Sequence, residues 1–157
     1  MTTTSNTITL PEVPFGHVEP IWVHFDDLDM MGIVHNAKYA LLLERALTPF
    51  WAERGFAYEN GQLTIPDMFH AVVELSVSFR APIRGTGPIL AHFWFERFGT
   101  TSAEYRFRLL SADGGTLHAE GRRAIVRLDP ATLRPTPWTE DAIAVGKELL
   151  RPESVSL

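Results

Sequence analysis

The stretch Val23–Gly55, VHFDDLDMMGIVHNAKYALLLERALTPFWAERG, decides how this chain folds. At its start Ile21, Val23 and Phe25 alternate with Trp22, His24 and Asp26, the two-residue period of a half-buried strand. Asp26, Asp27, Asp29 and Gly32 follow, residue types that tolerate unusual backbone angles and bond their own main chain, so a tight turn is expected. Asn36 then reads as an N-cap, its side-chain oxygen able to accept an orphan amide of a first helical turn. From Ala37 to Arg54 the chain is apolar nearly all round, with Leu41, Leu42, Leu43, Ala46, Leu47, Phe50 and Trp51. That pattern predicts one long helix buried on several sides. Pro49 removes a hydrogen bond near the last turn.

Outward from this helix, the rest of the chain reads as a sheet. After a loop punctuated by Gly55, Gly61 and Pro66, His70–Arg80 alternates cleanly, Val73, Leu75, Val77 and Phe79 against Glu74, Ser76 and Ser78. Ile89–Phe98 is apolar on both faces and predicts a strand covered on both sides. Ala103–Leu110 alternates again, and Thr116–Leu128 follows a Gly114-Gly115 hairpin signal. Gly121 within that last strand predicts a bulge or a close backbone approach. Thr136-Pro137 followed by Glu140-Asp141 predicts the opening of a short helix reaching Leu150. One long helix against an antiparallel sheet of about five strands is an α+β domain. Arg106, Arg108, Ser76 and Ser78 fall on its outer face, and an apolar edge or face left over is expected to pair with a second subunit.

Length and composition narrow the possibilities. At 157 residues the chain is one domain's worth, enough to bury about two-thirds of its unfolded surface. Met1–Phe15, rich in Thr and Ser, reads as a loose tail without the basic and apolar regions of a secretion signal, and residues 16–157 as a single domain. A net charge of −5 argues against general nucleic-acid or membrane-surface binding, and no run of 18 apolar residues is available to span a bilayer. With no cysteine there is neither a disulfide framework nor a thiolate nucleophile, which fits the cytoplasm. His24, Asp26 and His35 lack a recognised ligand spacing, so no metal centre is expected.

The chemistry is expected at the turn. A buried helix N-terminus offers unpaired N–H groups and about half a positive charge to a developing oxyanion. Asp29 lies just upstream, where its carboxylate can face the same spot. On residue type alone, an Asp in an Asp-rich turn more often bonds local amides than acts as a catalyst.

The run Asp29-Met30-Met31-Gly32-Ile33-Val34, with Asn36 at the helix start and Tyr39 beyond, resembles the D-x-x-G-[IV]-V-x-x-x-x-Y signature of hot-dog-fold acyl-CoA thioesterases, above all the 4-hydroxybenzoyl-CoA thioesterase group. The likeness continues through Val73–Pro82, Phe98–Ser102 and Ala119–Asp129. It implies a hot-dog fold, a sheet wrapped around one central helix, in a homodimer or homotetramer. It implies a hydrolase that splits an acyl- or aroyl-thioester of coenzyme A or an acyl carrier protein, with no cofactor. Asp29 would attack the thioester or activate water, and the Asn36 backbone N–H would polarise the carbonyl. Gly32 would let the turn pass close to substrate, Val34 and His35 would line the mouth, and Tyr39 would pack on the acyl group or on the partner subunit. Ser102 matches a family serine or threonine beside the coenzyme A phosphates, with Thr101 next to it. The basic cluster that several relatives carry there is replaced by Gly99, Thr100 and Thr101, leaving Arg80, Arg84 or Arg97 as substitutes, and Arg122 and Arg123 as a patch for a carrier protein. Glu44 reads as an ion-pair partner of Arg45 or of an arginine in a second subunit. Asp29 with His35 also resembles the Asp–His pair of hot-dog enoyl-CoA hydratases, but with a spacing one residue longer and without their Asn-Pro. A non-catalytic acyl-binding protein of the same fold is the third reading.

Overall fold

The computed structural model describes residues 8–153. Strand β1 (His17–Val23) leads into the acidic turn and helix α1 (Tyr39–Ala52). Two short strands, β2 (Tyr58–Glu59) and β3 (Gln62–Leu63), pair in the following loop. Then come β4 (His70–Phe79), β5 (Gly87–Phe98), β6 (Ser102–Ser111), β7 (Leu117–Arg127) and helix α2 (Glu140–Leu149). The five long strands form one antiparallel sheet in the order β1-β5-β6-β7-β4. With α1 laid on its inner face, this is the hot-dog architecture.

The core forms where two periodicities meet. Leu42, Leu43, Ala46, Leu47 and Phe50 make a stripe of helical spacing on α1, and they pack on Phe93, Phe95, Tyr105, Phe107 and Leu109, alternate residues of the sheet. Burying one such Leu or Phe side chain contributes about 1.5–3 kcal/mol, so this contact fixes the helix on the sheet. The helix is not enclosed on several sides as its composition suggests: Leu41 is 43% exposed, and Ala40, Thr48 and Ala52 also face outward. It ends at Ala52, short of the expected Arg54, and Gly55 at φ +91° turns the chain away.

Strand β5 is covered on both faces, as its unbroken apolar run predicts. Phe93 and Phe95 face the helix. On the other side Leu90 packs with Val18 and Leu110, and Phe15 lies over Trp94 with ring centroids 5.3 Å apart. His92, 1% exposed, donates from Nε2 to the Phe15 carbonyl at 2.9 Å. Within the segment expected as a tail, Phe15 is buried, and Ile8 and Val13 pack against this second cluster. The first seven residues of that expected tail lie outside the described ones. Gly121 is a close approach and not a bulge: a Cβ there would lie 2.0 Å from the Ser76 carbonyl oxygen of β4. Helix α2 is capped by Thr139, not Thr136, its side chain accepting from the Ala142 amide.

The two sheet edges differ. Strand β1 has seven residues and carries Pro20, which has no N–H to offer outward. Strand β4 is ten residues long without proline, and Val72, Val73, Leu75 and Phe79 are 40–62% exposed along it.

Candidate active site

Asp27 anchors the turn from beneath. Its side chain is fully buried, and both oxygens receive the Arg45 guanidinium of α1, at 2.5 and 2.9 Å. The His24 amide donates to the same carboxylate at 2.7 Å, and Arg45 also donates to the Trp22 carbonyl. The Arg45 hydrogen bonds hold the Asp27 carboxyl below the usual carboxylate range, against the opposing effect of burial. One buried pair thus ties the end of β1 to the helix. Glu44, by contrast, bonds Arg123 of β7 in the same chain and not Arg45. His24, Asp26 and Asp27 cluster on the turn, but the Asp27 oxygens are already committed to Arg45 and the His24 amide.

Two residues on, the turn closes on itself. The Asp29 amide donates to the Ile33 carbonyl at 2.8 Å and the Gly32 amide to the Asp29 carbonyl at 3.1 Å. Gly32 sits at φ +73°, where a side chain would strain the backbone. The segment after β4 is stitched to this turn: the Val34 amide donates to Ile83 and the Gly85 amide to Gly32, each at 2.9 Å. Asp29 Oδ1 accepts from the Met31 amide at 2.8 Å and the Ile33 amide at 3.4 Å. Its Oδ2 has no partner among the described residues. The local amide bonding expected of an Asp-rich turn is real, and it occupies one oxygen and leaves the other unengaged among the described residues.

The helix start differs from expectation in one respect. Asn36–Lys38 is a turn of 3-10 helix whose cap is His35, not Asn36: His35 Nδ1 accepts from the Ala37 amide at 3.0 Å. The imidazole nitrogen takes the place of a capping side-chain oxygen, and residue-type preference gives no sign of it. The Lys38 amide donates to the His35 carbonyl, while the Asn36 N–H has no acceptor among the described residues.

Asp29, Val34, Asn36 and Tyr39 come together in a cleft of about 410 Å³. Its opposite wall is Phe79, Arg80, Ala81 and Pro82, at the end of β4, and Tyr39 meets Phe79 edge-on with centroids 4.8 Å apart. Sequence reading missed that wall. The cleft does not include Gly32 or His35, which lie beside it on the turn.

Thr101 and Ser102 stand elsewhere in the chain. They begin β6 at the hairpin with β5, whereas the cleft lies at the Gly87 end of β5. Twelve residues of strand at ~3.3 Å each put the two ends roughly 36 Å apart. The Ser102 hydroxyl accepts from both terminal nitrogens of Arg97 at 3.3 Å. Arg122 and Arg123 do not form a joint patch. Neighbours on a strand face opposite ways, so Arg122 pairs with Glu74 and Glu104 outside while Arg123 is buried against Glu44.

Known proteins share this plan. The family described as the Thioesterase superfamily matches residues 31–118, more than half of the chain, starting two residues after Asp29. The chain belongs to that family, and so to the thioester hydrolases. The acyl-CoA thioester hydrolase YbgC of Escherichia coli is 25% identical over 129 residues, 82% of this chain and 94% of its own. The solved structure of PA5185 from Pseudomonas aeruginosa superposes with a TM-score of 0.73 at 24% identity, over 87% of this chain and 92% of its own. Slr0204 of Synechocystis, a 1,4-dihydroxy-2-naphthoyl-CoA thioesterase, gives 0.73 at 15% identity, over 86% and 98%. Both share the hot-dog fold. Among the described residues no helix is long and apolar enough to cross a membrane.

Proposed function

We propose that this chain hydrolyses an acyl- or aroyl-thioester of coenzyme A at the Asp29 cleft. The supporting observation is that an unengaged carboxylate oxygen and an unengaged helix-start amide line one cavity, Asp29 Oδ2 and the Asn36 N–H. Asp29 either takes a proton from a water that adds to the thioester carbonyl carbon and passes it to the leaving thiolate, or attacks that carbon itself, expelling thiolate and leaving a mixed anhydride that water then hydrolyses. The oxygen that becomes negative accepts from the Asn36 N–H, the C–S bond breaks, and free acid and thiol leave. One such oxyanion donor is worth about 3 kcal/mol of barrier. Val34 and Tyr39 pack on the acyl group.

A second copy completes this site. Strand β4 is a long apolar edge, which soluble proteins cover. Antiparallel pairing of β4 with a partner's β4 sets the Phe79 end of one against the His70 end of the other, where the partner's Thr101 and Ser102 hairpin lies. A homodimer is the minimal assembly of this reading, and the cytoplasm its compartment. Arg97 supplies the cation beside Ser102 for a nucleotide phosphate.

The test is thiol release from a panel of acyl-CoAs and the matching acyl-pantetheines, with wild type and Asp29→Ala. Turnover should fall about 10³-fold in the variant. Equal turnover by the two proteins removes Asp29 from the mechanism, and equal use of both donors points to a carrier-protein thioester.

A further inference from the structure

The cleft beside Asp29 offers a developing oxyanion one backbone donor, the Asn36 N–H. A tetrahedral oxyanion has room for more than one hydrogen bond, and removing a single donor from such a site costs roughly 10²–10³ in kcat. Most other donors around the cleft are already engaged. The Val34 amide donates to Ile83, the Ile33 amide to Asp29 Oδ1, and the Arg80 and Ala81 amides both to the His118 carbonyl. Pro82 has no N–H, and the side chain of Asn36 belongs to an exposed residue. The Arg80 guanidinium is bonded to Glu120 at 3.1 Å, on a side chain 54% exposed.

Tyr39 is different. Only 4% of it is exposed, and Phe79 holds the ring edge-on at 4.8 Å, yet its hydroxyl has no hydrogen-bond partner among the described residues. Nor is that oxygen one of their sealed, unpartnered polar atoms, so it borders open space, and the cavity that Tyr39 lines is the Asp29 cleft. Helix geometry favours the same direction. Tyr39 opens α1, and a long helical side chain leans back over the turn N-terminal to its own Cα, here Asn36–Lys38. Residues 36 and 39, three apart, share one side of that turn.

We propose that the Tyr39 hydroxyl is the second oxyanion donor of this site, bonding the same oxygen as the Asn36 N–H. This role rests on the hydrolase reading and adds a catalytic residue to it. As water adds to the thioester carbon and Asp29 takes its proton, the C=O π pair moves onto the oxygen between the two donors. The pair returns as the C–S bond breaks, the thiolate takes the proton from Asp29, and Tyr39 keeps its own throughout. Burial raises the Tyr39 pKa above its ordinary value, so the hydroxyl stays protonated at neutral pH. Asp29 and Arg80 are the other ionisable side chains lining the cleft.

The experiment follows thiol release by wild type, Tyr39→Phe, and protein carrying 3,5-difluorotyrosine at position 39. Loss of the hydroxyl should lower kcat about 10²-fold and leave KM within about threefold, because the bond is made only in the transition state. Packing on the acyl group alone would raise KM instead. Ring fluorines make the hydroxyl more acidic at nearly the same shape. The kcat of the difluoro protein should therefore fall as pH rises from about 6 to 9, where that of wild type holds level. Melting temperatures show that each variant is folded, and if Tyr39→Phe is not, the difluoro protein decides. An unchanged kcat, a loss carried by KM, or a pH profile that the fluorines leave in place overturns the proposal, while turnover by wild type keeps the hydrolase reading. No thiol release by wild type overturns both.

Discussion

Asp27 and Asp29 stand two residues apart on one turn, and their surroundings divide the labour between them. Asp27 is fully buried, with both oxygens on Arg45 and one also on a backbone amide. Asp29 is half-buried, with one oxygen on the turn and the other unengaged. The first carboxylate is saturated and holds the turn to the helix. The second is held by the turn, with one oxygen unengaged among the described residues, and its residue lines a cleft. A carboxylate fully engaged by a bidentate arginine is poorly available as base or nucleophile, so its chemistry is structural.

Exchanging the roles by mutation sharpens this contrast. The largest effect expected is on turnover: Asp29→Ala should lose about 10³-fold, or ~4 kcal/mol of barrier, in a thiol-release assay. Its stability should fall by no more than about 1 kcal/mol, the worth of the local amide bonds, in urea unfolding. Asp27→Asn should do the reverse and lose about 3 kcal/mol of stability, because Arg45 keeps its charge at a partly buried site without a counter-charge. If Asp27→Asn unfolds like wild type, the anchor role fails. Acid should separate the two as well. The folded-state pKa of Asp27 lies below its unfolded value near 3.9, so its contribution is complete above about pH 4 and fades as pH falls through the depressed value. Melting temperatures between pH 7 and 3 should fall less steeply for Asp27→Asn than for wild type. The smallest effect belongs to the cap: His35→Ala should cost about 1 kcal/mol by thermal melting.

Much of this was legible in the sequence. The alternation of His70–Arg80 and Ala103–Leu110, and the unbroken apolar run of Ile89–Phe98, are local periodicities that tertiary packing preserved. The acidic turn, with Asp29 accepting from its own neighbours' amides, was legible for the same reason, since turn residues act locally. What escaped depends on register. Phe79–Pro82 join Asp29 only because Ile33 pairs with Arg84 across the loop, and Glu44 finds Arg123 across 79 residues. The separation of Arg122 from Arg123 was available from the two-residue strand period, and grouping them as one patch overlooked it. That β4 is an edge follows from strand order, which no stretch of residues announces.

Pro20 bears on solubility. A second copy added alongside β4 would leave β1 at both flanks of the enlarged sheet, where an imide nitrogen removes one donor from the row a further strand would need. Pro20 thus works against strand addition at the edge opposite the apolar one.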